Sequence, residues 1–249
     1  MSVAERLSSD GLWMQKRVAS ADLAAKLMRM ARPQKLATMH RVVAEAMTTK
    51  ETSFFRDLLP FHLLHDRVIP ELIAAREKER RLHLWSAGSA TGQEAYSLAM
   101  LLYDRFPQLD EWDVRIVGTD VSQAACESAR RGRYSRFEIN RGLPVSLLVR
   151  HFEREGEEVW RIHEEVRRRV SFEQADLREA RVEMTFDVVL LRNVLPYLAA
   201  EERAEVLRAV HGRMHAGSVM LLGDAEEAGS LFEEAVDRER AFYRPIVLG

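Results

Sequence analysis

The stretch at residues 82–94, LHLWSAGSATGQE, predicts a strand, a turn of small residues and the start of a helix. Residues 82–85 suit a buried strand, and apolar residues recur at helical spacing through residues 93–106. The glycines between them allow a close approach of backbone to ligand. Because the stretch contains neither G-x-G-x-x-G nor G-K-[ST], it predicts neither a dinucleotide pyrophosphate site nor a P-loop.

The same alternation of strand and helix continues along the chain. Further strands are predicted at 114–119, near 172, at 186–191 and at 219–222, with helices at 123–131 and 201–215. This pattern predicts an α/β fold with a mostly parallel, doubly wound sheet. Such sheets bind ligands at the carboxyl ends of their strands. We therefore expect a site where the loops after Trp85, Asp120 and Leu191 meet.

Two regions depart from the alternation. Residues 1–50 contain two helical patterns, at 21–31 and 34–47, and nine basic against four acidic residues, a net charge of +5. The remaining residues, 51–249, carry −7. We predict a small basic helical domain at 1–50 before the main domain, and a β-hairpin inserted at about 149–170 with a turn at 155–157.

Composition excludes several classes of protein. A length of 249 residues with 47% hydrophobic and 31% charged residues indicates one or two folded domains. The single cysteine, Cys126, excludes internal disulfides, and we expect it to be a small buried residue. A net charge of −2 disfavours nucleic acid as a partner. No apolar run is long enough for a membrane span or a leader, so we expect no membrane insertion and a cytoplasmic location.

Three features near the strand ends suggest a ligand, and each has a plainer reading. The loop 86–92 suits a ligand without pyrophosphate, such as S-adenosylmethionine, or is only a tight turn. Asp120 could accept hydrogen bonds from ribose hydroxyls or simply precede a helix, although Ser122 offers a better cap. Glu94 could face an ammonium or sulfonium group or only the helix dipole. His211 and His215 have the i, i+4 spacing of a helical metal pair, but we expect ordinary surface histidines and no metal site.

Three motifs resemble those of the chemotaxis-receptor glutamate O-methyltransferases, the CheR family. Residues 48–56, TTKETSFFR, resemble N-E-T-x-F-F-R; residues 85–97, WSAGSATGQEAYS, resemble W-S-A-G-C-S-T-G-E-E-P-Y-S. Residues 191–197, LRNVLPY, resemble C-R-N-V-L-I-Y. The resemblance runs in order from about residue 48 to residue 244. It departs from the family at Lys50, Ser89, Gln93, Ala95 and Pro196.

This resemblance implies a Rossmann-like S-adenosylmethionine-dependent methyltransferase with a small N-terminal helical domain and an inserted β-subdomain. The implied reaction methylates glutamate side chains on the cytoplasmic helical bundle of a chemoreceptor and leaves S-adenosylhomocysteine. Arg56 and Tyr197 match residues of the reacting centre. At Asp176 the family usually has Asn. The positions matching cofactor contacts are Thr52, Arg56, Ala87, Gly88, Glu94, Asp120, Asp176, Leu177, Asn193 and Val194.

Three further expectations concern the substrate and the oligomeric state. The short turn at 155–157 is typical of family members that do not depend on the receptor's C-terminal pentapeptide. We predict that a basic face formed by Lys26, Arg29, Arg32 and Lys35 meets an acidic helical surface, and that the chain acts as a monomer. The alternative function is a non-catalytic scaffold that keeps the methyltransferase fold and binds chemosensory partners.

Overall fold

The computed structural model describes residues 52–179, 184–234 and 242–247. The helical domain predicted at 1–50 and its basic face lie outside these residues and remain predictions. None of the described helices combines the length and the apolar composition that a membrane crossing requires.

Strands and helices alternate through most of the described chain. Its strands are β1 (Arg81–Ala87), β2 (Asp113–Asp120), β3 (Arg133–Ser135), β4 (Phe152–Arg154), β5 (Val159–Ile162), β6 (Val170–Gln174), β7 (Phe186–Leu191), β8 (Met214–Leu222), β9 (Phe232–Glu234) and β10 (Phe242–Pro245). Its α-helices are α1 (Leu59–Leu63), α2 (Ile69–Ala75), α3 (Gln93–Arg105), α4 (Gln123–Arg131), α5 (Arg136–Asn140), α6 (Val145–His151), α7 (Glu164–Arg167) and α8 (Ala200–His211). A π-helical turn, Leu64–Val68, joins α1 to α2, and 3₁₀ turns lie at Pro107–Glu111, Leu195–Tyr197 and Gly229–Leu231.

The main sheet has seven strands in the order β6-β2-β1-β7-β8-β10-β9. The first five are parallel, and β10 runs antiparallel to both β8 and β9. From β1 the chain adds strands outward through β2 to β6, then crosses to β7 and builds in the other direction. In sheets of this kind the ligand crevice lies at the carboxyl ends of the strands where this order reverses, which is between β1 and β7 here. The predicted parallel α/β sheet is confirmed; the antiparallel pair β9 and β10 was not predicted.

The sheet is covered on both faces, which explains the continuous apolar runs of its central strands. Successive residues of a strand point to opposite faces, so Val188 and Leu190 join one buried cluster while Val189 and Leu191 join the other. Helices α3 and α4 pack on the first cluster and α8 on the second. Cys126 lies in the first cluster and is fully buried, as predicted.

The predicted helix at 201–215 is wrong at its C-terminal end. Helix α8 stops at His211, because Gly212 is a poor helix former and the chain then pairs with β7, opposite Phe186, from Met214. His211 and His215 therefore lie on different elements and form no helical pair. Both are half-buried and hydrogen-bonded: His211 Nε2 lies 3.0 Å from the carbonyl of Ile246. No group of His, Cys, Asp and Glu suited to a metal ion occurs within the ranges that the structure describes.

The inserted subdomain contains the hairpin predicted near 149–170. The subdomain is larger than this hairpin. Strands β4 and β5 pair antiparallel around a turn that includes Gly156, with φ of 81°. The preceding residues 149–151 end helix α6 instead of beginning a strand. Strand β3 pairs with the other edge of β5, so the small sheet has the order β3-β5-β4. Three residues are too few to show a strand pattern in the sequence, which is why β3 was missed.

Candidate active site

The glycine loop after β1 is fastened to the end of β2. The backbone amides of Gly88 and Ser89 both donate to the carbonyl of Thr119, each at 2.8 Å. The amide of Ala90 donates to Asp120 Oδ2 at 2.9 Å. The carboxyl ends of β1 and β2, two of the three strand ends expected to form the site, therefore lie together.

Asp120 links two loops and is not the cap of α4. Its Oδ2 accepts from Ala90, and its Oδ1 accepts from the amide of Ser122 at 2.9 Å. The hydroxyl of Ser122 caps α4, as predicted, by accepting from the amide of Ala125. An ionised carboxylate offers about four lone-pair positions. Asp120 can therefore hold both loops and also accept hydrogen bonds from hydroxyl groups of a ligand.

The loop after β7 forms the opposite wall. Gly88 has φ of 78°, and a Cβ atom added there would lie 2.5 Å from Val194 Cγ2. The two loops thus meet so closely that only glycine fits at position 88. Ala87 is buried in the second apolar cluster, against which Leu177 and Val194 also pack.

Asn193 is the turning point of that loop. It adopts a left-handed conformation with φ of 59°, and its side-chain Oδ1 is buried without a hydrogen-bond partner within the described ranges. Such an acceptor is able to take a hydrogen bond from a bound ligand or an ordered water. Tyr197 ends the following 3₁₀ turn with 44% of its surface exposed.

The segment at 52–58 is held against the crevice by two phenylalanines. Phe54 is fully buried and packs edge-to-face on Tyr134 and Phe152 of the inserted subdomain, with ring centroids 5.0 and 5.6 Å away. The amide of Phe55 donates to Ser97 Oγ of α3 at 2.9 Å. Thr52 and Arg56 of this segment are half-buried, and the role of Thr52 in binding the cofactor remains a prediction.

The backbone around Arg56 is strained. Three non-glycine residues adopt positive φ angles: Phe55 at 47°, Asp57 at 65° and Leu58 at 39°. Each such conformation costs on the order of 1–3 kcal/mol, and strain of this kind concentrates at functional sites. The surrounding structure therefore holds this turn in a backbone conformation that its residues disfavour on their own.

Arg192 joins this segment to the start of α3. Its Nη1 lies 3.0 Å from Glu94 Oε2 and donates to the carbonyl of Arg56 at 3.3 Å, while its Nη2 pairs with Asp57 Oδ2. The Arg192 side chain is only 1% exposed. Sequence reasoning missed Arg192, although a charged residue directly after the apolar run 186–191 was a usable signal.

Burial raises the pKa of Glu94, and its neighbours only partly oppose this effect. The positive charges of Arg192 and Arg56 lower the pKa, whereas the nearby carboxylate of Glu226 raises it further. Ionised Glu94 therefore has less water around it than an ordinary surface glutamate, and its two arginine neighbours do not fully compensate for that loss. A cationic ligand group in this crevice would stabilise the charged form.

Asp176 is engaged by an arginine. Its two oxygens accept from Arg178 Nε at 2.9 Å and from Nη2 at 2.6 Å, and these hydrogen bonds hold the pKa of Asp176 below its usual value. The neighbouring amide of Ala175 donates to the carbonyl of Asp120 at 3.0 Å, so this loop does border the crevice. The role of Asp176 in binding adenine remains a prediction, and a ligand there would share its oxygens with Arg178.

The strand order and the crevice together define a class of protein. A parallel sheet extended by the antiparallel strands β10 and β9, a glycine loop without a phosphate cradle and an acidic residue at the end of β2 are the features of an S-adenosylmethionine-dependent methyltransferase. Residues 50–239 match the family described as CheR methyltransferase, SAM binding domain. The chain belongs to the CheR methyltransferase family, and its cofactor is S-adenosylmethionine.

Relatives with similar sequences agree with this family. The chain is 37% identical over 198 residues to chemotaxis protein methyltransferase 1 of Pseudomonas aeruginosa, covering 78% of this chain and 72% of the relative. It is 33% identical over 211 residues to chemotaxis protein methyltransferase Cher2 of Pseudomonas putida, covering 83% and 76%. A solved structure of the glycopeptide N-methyltransferase MtfA with S-adenosylmethionine aligns with a TM-score of 0.40 and 12% identity, covering 73% of this chain and 57% of that one.

Proposed function

We propose that this chain methylates glutamate side chains on the cytoplasmic helical bundle of a chemoreceptor. The names of its relatives, which are chemotaxis protein methyltransferases, support the chemosensory setting. The observation that carries the proposal is Arg56, a cation held by a strained turn next to the buried Glu94. A cation in that position suits an anionic acceptor.

The residues of the crevice fit the cofactor. Gly88 leaves a space beside Val194 that any side chain would fill, and Asn193 has an unsatisfied buried acceptor. Asp120 would accept from ribose hydroxyls, Glu94 would face the cationic end, and Leu177 and Val194 would supply apolar contacts. When bound, the cofactor supplies a methyl group made electrophilic by a sulfonium.

The remaining residues would orient the acceptor. A glutamate carboxylate, with a reference pKa of about 4.3, is ionised near neutral pH and is itself the nucleophile. A catalytic base is therefore unnecessary, and the protein contributes alignment and exclusion of water. Arg56 would pair with the incoming carboxylate, and Arg192 fixes the backbone of Arg56. Tyr197, at the exposed end of its turn, would contact the acceptor by packing and through its hydroxyl.

The proposal includes independence from a C-terminal receptor pentapeptide. The turn between β4 and β5 is closed at its base by a hydrogen bond of 2.8 Å from the amide of Glu155 to the carbonyl of Val159. The side chain of Arg154 also donates to the carbonyl of Glu157 at 2.9 Å. This short, internally bonded turn supports recognition of the receptor bundle without a tether.

The test is transfer of labelled methyl groups from S-adenosylmethionine to receptor cytoplasmic fragments. We expect base-labile label on glutamates and a loss of about 100-fold in kcat for Arg56→Ala, the size that misorientation of reacting groups produces. The matched control is Arg67→Ala, an arginine in the π-helical turn that is 49% exposed and pairs with Glu71 of the following helix α2. We expect fragments with and without the pentapeptide to be labelled equally.

Two outcomes would contradict the proposal. Cofactor binding without base-labile label on any receptor fragment would favour the non-catalytic scaffold. Equal activity of the Arg56→Ala and Arg67→Ala variants would exclude Arg56 as the residue that orients the acceptor.

A further inference from the structure

Glu226 lies just beyond β8 and accepts four backbone hydrogen bonds. Its Oε2 accepts from the amides of Asn193 at 2.8 Å and Gly223 at 2.6 Å. Its Oε1 accepts from the amides of Val194 at 2.8 Å and Leu195 at 2.9 Å. The residue is only 6% exposed, the sequence motifs do not include it, and the site described above gives it no role beyond its effect on the pKa of Glu94.

The geometry of the loop explains why a carboxylate fits there. Asn193 is left-handed and Val194 is right-handed, with φ of −109° and ψ of −49°. Successive residues of opposite handedness turn their N–H groups to one side and form a concave site for an anion. Bonds from such amides to a charged oxygen are stronger than neutral ones. In this chain the anion is the protein's own side chain.

Gly223 makes this approach possible. A Cβ atom at that position would lie 2.9 Å from Glu226 Oε2 and 2.9 Å from Asn193 Nδ2. The end of β8 and the loop after β7 are therefore fastened together through one carboxylate. Because Val194 in turn meets Gly88 at the crevice, the position of that wall depends on Glu226.

We propose that Glu226 is a positioning residue for the cofactor: it sets the Asn193–Val194 loop at the distance from Gly88 that S-adenosylmethionine requires. This inference rests on the cofactor role proposed above for Asn193 and Val194. Three of the four amides that Glu226 accepts belong to that loop, and the same loop leads into Tyr197. Glu226 itself touches no reacting atom.

The test compares Glu226→Gln with Glu227→Gln, which changes an exposed neighbouring carboxylate in the same way. The amide keeps the size of the side chain but turns an NH₂ group toward backbone donors. We expect Glu226→Gln to raise the Kd for both S-adenosylmethionine and S-adenosylhomocysteine at least tenfold and to speed amide hydrogen exchange at residues 192–197. Glu227→Gln should leave these quantities unchanged.

Measuring both ligands distinguishes a positioning role of Glu226 from a role of its charge. S-adenosylhomocysteine lacks the sulfonium charge, so a purely electrostatic role of Glu226 would weaken only S-adenosylmethionine and would overturn the inference. Glu226→Asp keeps the charge but is too short to reach all four amides; we expect it to weaken both ligands as well. Wild-type affinity in Glu226→Asp would therefore also overturn the inference.

A further control tests whether a general loss of stability explains the loss of cofactor affinity. Asp187→Asn alters another buried carboxylate that accepts a backbone amide, at the opposite end of the sheet. An equal loss of affinity in Asp187→Asn would mean that Glu226 acts only through stability. If wild type fails to bind S-adenosylmethionine, or if Asn193→Ala binds it normally, the proposed site is wrong, and that result is distinct from failure of the Glu226 inference.

Discussion

Each end of the central sheet carries a buried carboxylate paired with an arginine. The two carboxylates differ in the hydrogen bonds that they accept. At the amino end, Asp187 Oδ1 accepts from Arg76 Nε at 2.9 Å and from His215 Nε2 at 3.0 Å, while Oδ2 accepts from the amide of His83 at 2.8 Å. At the carboxyl end, Glu94 pairs with Arg192 at 3.0 Å.

The pKa values of these two carboxyls are shifted in opposite directions. Burial alone would raise the pKa of Asp187, but hydrogen bonds from His215 and the amide of His83, with the charge of Arg76, hold it below the usual value. For Glu94 burial outweighs the arginines, and the pKa is raised. The pair at the amino end is complete and stabilises the sheet. In the pair at the carboxyl end, the charge of Glu94 is less well compensated for its burial, which suits a site that receives a cationic ligand.

The largest expected effect comes from removing the arginine of each pair. Arg192→Ala leaves Glu94 buried without its closest cation, and breaking a buried ion pair in this way costs about 3–5 kcal/mol. Arg76→Ala should cost less, because Asp187 keeps His215 and the amide of His83. Urea unfolding of both variants measures the difference. An equal or greater loss in Arg76→Ala would show that the two pairs do not differ as described.

The elements that the sequence predicted well are those with long, repetitive patterns. The bounds of β7 and α4 agree with the prediction residue for residue, because an apolar run and a capped helix are local signals. The proximity of Gly88 and Asp120 followed from one topological rule about strand ends. Short strands such as β3 and the end of α8 depend on pairing partners that are distant in sequence, and local patterns do not reveal them.

The candidate site was predictable as a set of positions but not as a set of contacts. Motif resemblance placed Arg56, Glu94 and Asn193 near one another without indicating Arg192, which bonds to Glu94 and to the backbone of Arg56. Glu226 was also missed, because its four hydrogen bonds go to backbone amides, which leave no trace in side-chain patterns. Contacts of this kind depend on where the tertiary structure places neighbouring loops, which local sequence patterns do not encode.

A second, smaller effect tests the amino end alone. Asp187→Asn removes the negative charge that faces Arg76 and replaces one acceptor oxygen with an NH₂ group, and it should lower the free energy of unfolding by about 1–3 kcal/mol at neutral pH. Because the folded pKa of Asp187 is depressed, its contribution is complete above the unfolded pKa of about 3.9 and disappears as pH falls through the folded value. The variant should therefore lose less stability than wild type between about pH 5 and pH 2. Parallel stability profiles over that range would contradict a structural role for this carboxyl.

The smallest effect tests the carboxyl end through the pH dependence of cofactor binding. A cationic ligand favours ionised Glu94, so affinity for S-adenosylmethionine should fall on acidification as Glu94 takes up a proton. Because burial raises the pKa of Glu94, this fall should occur at a higher pH than for an ordinary glutamate. Glu94→Gln should bind about tenfold more weakly at neutral pH, about 1.4 kcal/mol, and should lack this dependence. Calorimetric titrations at several pH values measure both quantities. A variant with the same pH dependence as wild type would assign that dependence to another group, and the contrast between the two ends of the sheet would then rest on stability alone.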